Sequence, residues 1–493
     1  MDDAFNDATL PTQFVLGRTD SDVPARFGRR TLHGWTLQAD ASLPVIPVHH
    51  GDAQFGWLLG WPIEQGRLLT EADTFTLNTL PSADPNRFES QVYAMSGRWA
   101  LLLLHGDQRV YLDASASLAA VYEPDSQRVG ATTTALLWPA AERTPAPPVL
   151  AANRSYAFGI TSARGIYRIL PNHYLDLDTW DVVRHWPIEH APRAIGTEVN
   201  EVFAAIGTAI RHTLTAAHRS LPLLQALTSG RESRMLLAGS YEFISDIDFM
   251  TLGPPACDLE DLRFAQQLQR RFGFRHHTID TPPASAAERA RYLMLVGHDA
   301  SPGKATTFLK SASNLDPSFA LVTGFGGGVG GAFYWRRFPS ERVTWQQAHA
   351  LLHQPDTAES RRLAQRWFEQ VDPYDREELL DLLYLEQRMG AWASTQLYGF
   401  APFAMQLMPL SQRSVYENFF RVPVATRRDK YSLARGVVRN TVPELDLIPY
   451  RRAPGAAGYV RGIGIELGRT KKMLRDHAGR AVRALQQRSR ARD

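Results

Sequence analysis

The sequence predicts a two-domain α/β protein, in which a β-rich sandwich precedes a parallel-sheet domain with a helical C-terminal half. The region up to about Trp186 consists of short apolar runs separated by turn residues, among them residues 99–104 and 110–112. After a linker at residues 188–196, which contains Pro and Ala, strands and helices alternate as they do in parallel sheets. We therefore expect domains at residues 1–187 and 195–468, followed by a basic helical tail at residues 469–493.

Composition limits the class of protein. The chain has 493 residues, of which 44% are hydrophobic and 21% charged, which is enough apolar material for two or three domains. No apolar run approaches the roughly 20 residues of a membrane span, and the acidic N-terminus does not resemble a secretion signal. A single cysteine, Cys257, excludes an intrachain disulfide, so we expect a cytoplasmic protein without a membrane span.

Charge gives no indication of nucleic acid binding. A net charge of +3 on a chain of this length is too small to imply a nucleic acid partner. The basic tail is expected to be a solvated terminal helix, and a binding arm for an acidic partner is the alternative.

Residues 221–239, LPLLQALTSGRESRMLLAG, are the most informative segment of the chain. Residues 223–227 predict a buried strand, residues 228–233 a turn, and Arg234 onward a helix whose first amides lack partners within the helix. Such amides and the helix dipole attract phosphate. We call residues 228–233 the first loop. Its candidate ligands are the hydroxyls of Thr228, Ser229 and Ser233, the positions Gly230 and Arg231, and, for a metal ion, the carboxylate of Glu232. An ordinary strand–turn–helix junction with hydroxyl capping is the alternative.

The elements that follow the first loop indicate where a ligand would lie. Residues 247–252 predict a second strand, and residues 258–272 predict a helix with Asp258 as its N-cap. Parallel α/β sheets bind ligands at the carboxyl ends of their strands. A nucleotide would therefore lie over Thr228 and Leu252.

The first loop resembles the pyrophosphate loop of the asparagine synthetase family, usually written SGGxDS. Gly230 and Ser233 match this pattern strictly, Thr228 and Glu232 keep the chemical type, and Ser229 replaces a glycine. The resemblance implies that ATP binds at the first loop.

A second apolar run, residues 320–322, leads into residues 323–331, which we call the glycine loop. Its backbone can approach a ligand closely, and simple flexibility is the alternative explanation for its glycines. The loop resembles the family's SGxGxDE pattern, in which the positions that line the nucleotide fall on Thr323, Gly324 and Gly326. The acidic pair falls on Gly328 and Val329, so the resemblance leaves Glu232 as the only motif carboxylate for magnesium.

The stretch from residue 378 to residue 449 is helical in pattern, and its LEQRMGAWASTQ and PLSQRSVYENFFRVP segments resemble the helical half of the synthetase domain. Glu386 is a candidate acid or base there. The alternative is a surface charge that pairs with Arg388 or with a neighbouring helix.

Two basic residues near the C-terminus complete the candidate site. Lys430, together with Leu433 and Arg435, matches a family pattern. Arg452 stands near the place of the family's catalytic Lys. An Arg can offset charge on a phosphate or a tetrahedral adduct, but it exchanges protons less readily than Lys. A solvated basic surface is the alternative for Arg452.

The N-terminal region resembles the glutaminase-type (Ntn-type) domain of asparagine synthetases in residues 96–137 and 167–187. The resemblance lies in pattern and order. A working glutaminase of this class exposes an N-terminal cysteine once Met is removed, whereas Asp2 and Asp3 follow Met1 here and Cys257 lies in the other domain. We predict that this domain does not release ammonia from glutamine.

Together, the resemblance implies an Ntn-type sandwich followed by a parallel-sheet, ATP-pyrophosphatase-type synthetase domain. It further implies an ATP- and magnesium-dependent ligase that adenylates a carboxylate substrate and joins it to a substrate amine. The missing nucleophile points toward relatives such as lasso peptide cyclases and β-lactam synthetases, with a precursor peptide and its processing enzymes as candidate partners. A catalytically inactive homologue that binds a nucleotide or peptide for a partner enzyme is the main alternative, and another group transfer by a pyrophosphatase of this fold is a third.

Overall fold

The apolar runs of the N-terminal region form two β-sheets, and those after residue 223 form a third. In this computed structural model the structure describes residues 9–139, 156–187, 192–253, 259–300, 315–338, 342–448 and 450. The strands are β1 (Phe14–Gly17), β2 (Phe27–Leu32), β3 (Trp35–Asp40), β4 (Val45–His50), β5 (Ala53–Glu64), β6 (Arg67–Leu68), β7 (Phe75–Thr76), β8 (Ser96–Leu103), β9 (Arg109–Leu112), β10 (Val121–Glu123), β11 (Arg128–Gly130), β12 (Tyr167–Arg168), β13 (His173–Asp176), β14 (Val182–Arg184), β15 (Leu223–Ala226), β16 (Asp248–Leu252), β17 (Arg275–Ile279), β18 (Ala320–Val322) and β19 (Gln406–Leu407).

Helices precede, separate and follow the strands of the third sheet, and two helices lie among the earlier strands. The helices are α1 (Pro85–Ala94), α2 (Thr133–Leu136), α3 (Glu198–His218), α4 (Arg231–Gly239), α5 (Leu259–Phe272), α6 (Ala286–Leu295), α7 (Trp345–Leu351), α8 (Ala358–Val371), α9 (Arg376–Tyr384), α10 (Ser394–Phe400), α11 (Arg413–Arg421), α12 (Val424–Arg428) and α13 (Ser432–Thr441). A π-helical segment, Leu385–Ala393, joins α9 to α10, and short 3₁₀ segments lie at Tyr241–Phe243, Val329–Gly331 and Pro443–Leu447.

The first two sheets share one core. The first sheet is antiparallel, with strand order β12-β10-β11-β1-β3-β2. The second has the order β14-β13-β9-β8-β5-β4-β7, with β6 on β5, and is antiparallel except where β4 meets β7. Phe14 and Leu37 of the first sheet pack with Trp57 and Leu102 of the second in one buried cluster. Burial of one face of each sheet therefore produces the layered β region that the sequence predicts.

The third sheet is parallel and has the order β17-β16-β15-β18-β19. Leu224, Met250 and Leu321, one from each of the three central strands, pack against Tyr292 and Phe400 in a buried cluster. The chain moves outward from β15 through β16 to β17, and then returns to place β18 on the other side of β15. The strand order therefore reverses between β15 and β18.

The α/β class is confirmed, because antiparallel and parallel sheets occur together with many helices in this chain. The predicted second strand is β16, and the predicted helix at residues 258–272 is α5, with Asp258 outside the described residues. The helix expected from Arg234 onward was placed wrongly. It begins at Arg231, because Gly230 takes the extended conformation of an N-cap and ends the turn three residues earlier.

The chain up to Asp446 is one compact unit, and Leu447–Asp493 forms a second, of which the structure describes only Leu447, Ile448 and Tyr450. Within the first unit, Arg168 of β12 and Asp299 form an ion pair of 2.9 Å, and both side chains are buried. The predicted division at residues 187 and 195, with its Ntn-type and ATP-pyrophosphatase-type assignments, stays a prediction. The basic tail lies outside the described residues. Among the helices that the structure describes, none is long and apolar enough to cross a bilayer.

Candidate functional site

The first loop and the glycine loop lie side by side at the carboxyl ends of β15 and β18. These strands pair in parallel, with Gln225 opposite Val322, so both loops leave the same edge of the sheet. A Cβ atom on Gly324 would lie 2.7 Å from the Cβ of Glu232, and one on Gly327 would lie 2.6 Å from its Cγ. The fold therefore brings together the two segments that the sequence singled out.

The first loop is closed by its own hydroxyl groups. The amide of Thr228 donates to Ser233 Oγ at 3.2 Å, and Ser233 Oγ donates to the Thr228 carbonyl at 3.0 Å. The Gly230 amide donates to Thr228 Oγ1 at 3.1 Å. No side chain caps α4, although all of the loop is described, so the amides of its first turn keep the capacity to bind an anion.

Ser229 attaches the first loop to α5. It has no exposed surface, and its amide and hydroxyl both donate to Asp261 Oδ1 of α5, at 3.0 and 2.5 Å. The sequence proposed Ser229 as a ligand of the nucleotide. Since its hydroxyl is directed to a buried carboxylate, we assign this side chain to holding the loop against α5.

Arg231 and Glu232 form the charged part of the site. Arg231 Nε donates to Glu232 Oε1 at 2.6 Å, and another nitrogen of the guanidinium donates to the carbonyl of Lys430 at 3.1 Å. A Cβ atom on Gly331 would lie 2.7 Å from Arg231 Cζ, so the guanidinium also touches the glycine loop. The side chains of Arg231 and Glu232 are 16% and 28% exposed, which leaves the carboxylate accessible.

Glu232 is the acid that the loops offer to a metal ion. Within the described ranges, no group of three or more His, Cys, Asp or Glu side chains is placed to hold a metal. A magnesium ion that enters with a nucleotide needs only one or two protein carboxylates, because phosphate oxygens and water complete its octahedron. A partly exposed Glu232 at the start of α4 fits that requirement.

The glycine loop is anchored by a buried ion pair. Arg427 of α12 donates to Asp381 Oδ2 at 2.7 Å and to the carbonyls of Val329 and Gly330 at 2.8 and 3.3 Å. Trp335 Nε1 donates to the second oxygen of Asp381 at 3.1 Å. Burial raises the pKa of Asp381 to about 6, against the opposing effect of Arg427. Sequence reasoning missed this pair, because neither residue belongs to a local motif.

The remaining loop positions have mainly structural contacts. The Thr323 amide donates to the Leu407 carbonyl at 3.0 Å, which joins the end of β18 to β19. Gly326 has a φ of 95°, and its Cβ would lie 2.8 Å from the carbonyl carbon of Leu410, so only glycine fits there. Leu252 is half-buried at the end of β16 and packs on the apolar cluster of the sheet.

The basic candidates are only partly described. Lys430 is exposed, and its ammonium lies 5.3 Å from the ring centroid of Tyr431. Its carbonyl accepts the hydrogen bond from Arg231, which places the Lys430 backbone beside the first loop. Arg452 lies outside the described residues.

Glu386 is not a surface charge. Its side chain has no exposed surface, and its oxygens accept hydrogen bonds from the Arg184 guanidinium at 2.6 and 2.7 Å, from Asn172 at 2.6 Å and from Trp367 at 2.5 Å. Burial alone would raise the pKa of Glu386, but Arg184 and the other donors hold it below its usual value. Because these donors saturate the carboxylate, we assign Glu386 to the contact between β14 and the C-terminal helices instead of to proton transfer.

Comparison of the chain with protein-family models and with curated proteins gave no match. The resemblance to asparagine synthetases therefore stays a prediction, and the functional argument depends on the geometry of the two loops.

Proposed function

We propose that this protein binds ATP between the first loop and the glycine loop and uses it to join a carboxylate to an amine. The observation that supports this most directly is the meeting of the two loops where the strand order reverses, between β15 and β18. Ligands of open parallel sheets bind outside the carboxyl ends of the strands at such a reversal.

The first loop offers what a nucleotide phosphate requires. The amides of Arg231, Glu232 and Ser233 are the first of α4 and point out of its N-terminus, where the helix dipole also attracts negative charge. Magnesium would be held by Glu232 and by phosphate oxygens, and it would offset charge on the leaving pyrophosphate. The ammonium of Lys430 is a further cation near this end of the sheet.

The proposed reaction has two steps. A carboxylate oxygen of the substrate attacks the α-phosphorus of ATP, a phosphorus–oxygen bond forms, and pyrophosphate leaves. The substrate amine then attacks the activated carbonyl, AMP leaves with the oxygen, and the amine gives up a proton as the amide forms. Closure of a macrolactam within one peptide is the substrate class that the sequence resemblance favours.

Pyrophosphate release in the presence of ATP, magnesium and a panel of amino acids, sugar acids and peptides tests this function. Glu232→Gln should weaken magnesium-dependent ATP binding and pyrophosphate release, because it removes the carboxylate of the two loops. Glu242→Gln is the matched control, since Glu242 lies just beyond α4 with a side chain that is 67% exposed. Failure of the wild-type protein to bind ATP, or equal effects of the two substitutions, would refute the proposal.

Binding without turnover is the second candidate, and one observation favours it. The two loops carry a single carboxylate, Glu232, and that carboxylate is already paired with Arg231 at 2.6 Å. If magnesium does not displace this pairing, ATP would bind without being cleaved. ATP binding without pyrophosphate release on any substrate of the panel would select this alternative.

A further inference from the structure

Tyr384, the last residue of α9, reaches into the glycine loop. A Cβ atom on Gly328 would lie 2.7 Å from Tyr384 Cζ and closer still to the hydroxyl oxygen, inside any real Cβ contact. The phenol therefore occupies the space into which a side chain at position 328 would extend. The neighbouring Gly327 lies against Glu232, so the hydroxyl is next to the candidate nucleotide site.

The surroundings of Tyr384 hold its ring in a defined place. Its ring centroid lies 5.0 Å from that of Phe333 and 6.0 Å from that of Tyr334. Arg388, one turn further along the chain, lies with its guanidinium carbon 4.6 Å from the Phe333 ring centroid. These contacts restrict the ring, so the position of the hydroxyl is determined by packing.

The surroundings of the Tyr384 hydroxyl favour the neutral, protonated phenol, which can donate a hydrogen bond. Burial is the main cause that raises the pKa of Tyr384; Arg388 opposes the rise and Glu232 adds to it. The phenol therefore keeps its proton at neutral pH. Across the described ranges, the structure shows no hydrogen bond to this hydroxyl, whereas Tyr334 in the same cluster is hydrogen-bonded to Arg388.

We propose that Tyr384 binds the nucleotide, with its hydroxyl donating a hydrogen bond to a phosphate oxygen of ATP. The inference rests on the proposed ATP site and adds to it a residue from a helix that lies outside both loops. A corollary concerns Gly328. An acidic side chain at this position and the Tyr384 phenol exclude one another, because both require the same space.

The experiment measures the affinity of the full chain for ATP with magnesium, and for adenosine, by titration calorimetry. Tyr384→Phe should weaken ATP binding about 10- to 100-fold, which is the range for the loss of one hydrogen bond to a charged group. Adenosine affinity should not change, because adenosine has no phosphate. Tyr334→Phe is the matched control, since it removes a hydroxyl from the same cluster and should change ATP affinity by less than about threefold.

The outcomes separate this inference from the proposed function. If the wild-type protein does not bind ATP, both the proposed function and the role of Tyr384 are refuted. ATP binding that is equal in wild-type protein and Tyr384→Phe, or equally weakened in the two tyrosine variants, would overturn the role of Tyr384 alone. Gly328→Ala provides a second test if Tyr384→Phe unfolds, because its methyl group would displace the phenol while all hydroxyls remain. Unchanged ATP affinity in Gly328→Ala would also overturn the inference.

Discussion

Replacing Arg427 by Met removes the side chain that ties the glycine loop to α9. In the wild-type protein Arg427 and Asp381 are both buried and 2.7 Å apart, and Arg427 also donates to two carbonyls of the loop. Removing one partner of a buried ion pair costs about 3–5 kcal/mol, because the other charge remains without compensation. We therefore expect Arg427→Met to lower the free energy of unfolding by about 4 kcal/mol at neutral pH.

The pH dependence of this loss follows from Asp381. Its pKa in the folded protein is about 6, above the ordinary 3.8, so its contribution to stability is present below pH 3.8 and is lost as the pH rises through about 6. Without Arg427 the folded pKa rises further. Between about pH 6 and 8, stability should then keep falling by up to about 1.4 kcal/mol for each pH unit below the new pKa, and it should level off above that pKa.

Urea unfolding followed by tryptophan fluorescence, repeated across this pH range, measures both effects. Arg428→Met is the matched control, since Arg428 lies on the same helix with a side chain that is 70% exposed, and it should change stability by about 0.5 kcal/mol or less. Adding Asp381→Asn to Arg427→Met should remove the extra pH dependence. If Arg427→Met and Arg428→Met are equally stable, or if Asp381→Asn leaves the pH dependence unchanged, the buried pair does not act as described.

Three other predictions concern the contacts around the site. The folded pKa of Glu386 lies below 4.5, so the contribution of this carboxylate to stability is present above pH 4.5 and is lost as the pH falls through the folded pKa. Wild-type protein should therefore lose more stability than Glu386→Gln when urea unfolding is repeated at about pH 4. Gly324→Ala should separate the two loops and weaken ATP binding at least about tenfold, since overpacking costs about 1–3 kcal/mol. Gly28→Ala on β2, whose nearest contact would be 3.7 Å, is the control and should leave the titrated affinity almost unchanged. Ser229→Ala removes the hydroxyl partner of a buried carboxylate on Asp261 and should lower the thermal stability by about 1–3 kcal/mol, measured by calorimetry; an unchanged melting temperature would contradict the assigned role.

The parts of the fold that the sequence predicted correctly are those encoded by neighbouring residues. An apolar run followed by a polar or glycine-rich turn identifies β15 and β18, because a strand buried in a parallel sheet needs apolar residues on both faces. The α/β class and the strand at residues 247–252 follow from the same local patterns. The helix start was misplaced by three residues, because the extended backbone of Gly230 cannot be read from residue types.

The residues that the sequence did not predict form their contacts over long distances in the chain. Glu386 was predicted to be an acid or base, with a surface pairing to Arg388 or to a neighbouring helix as the alternative. Its partners Asn172 and Arg184 instead lie 214 and 202 residues away in the N-terminal region. Only the packing of β14 against the C-terminal helices places them together. Arg427 and Tyr384 were likewise missed. Arg427 donates to carbonyl groups of the glycine loop, and Tyr384 fills the space above Gly328, so neither contact can be predicted from neighbouring residues.

The two loops depart at Ser229 and Gly328 from the SGGxDS and SGxGxDE patterns that they resemble, and both positions have a structural partner in this fold. Ser229 stands where the resembled pattern has a glycine, and its hydroxyl and amide both donate to Asp261. Gly328 lacks the expected carboxylate, yet the Tyr384 phenol fills the space that this carboxylate would need. Each altered residue therefore has a partner elsewhere in the fold. Within the two loops, the case against turnover therefore depends on Glu232, and on whether magnesium can draw that carboxylate away from Arg231.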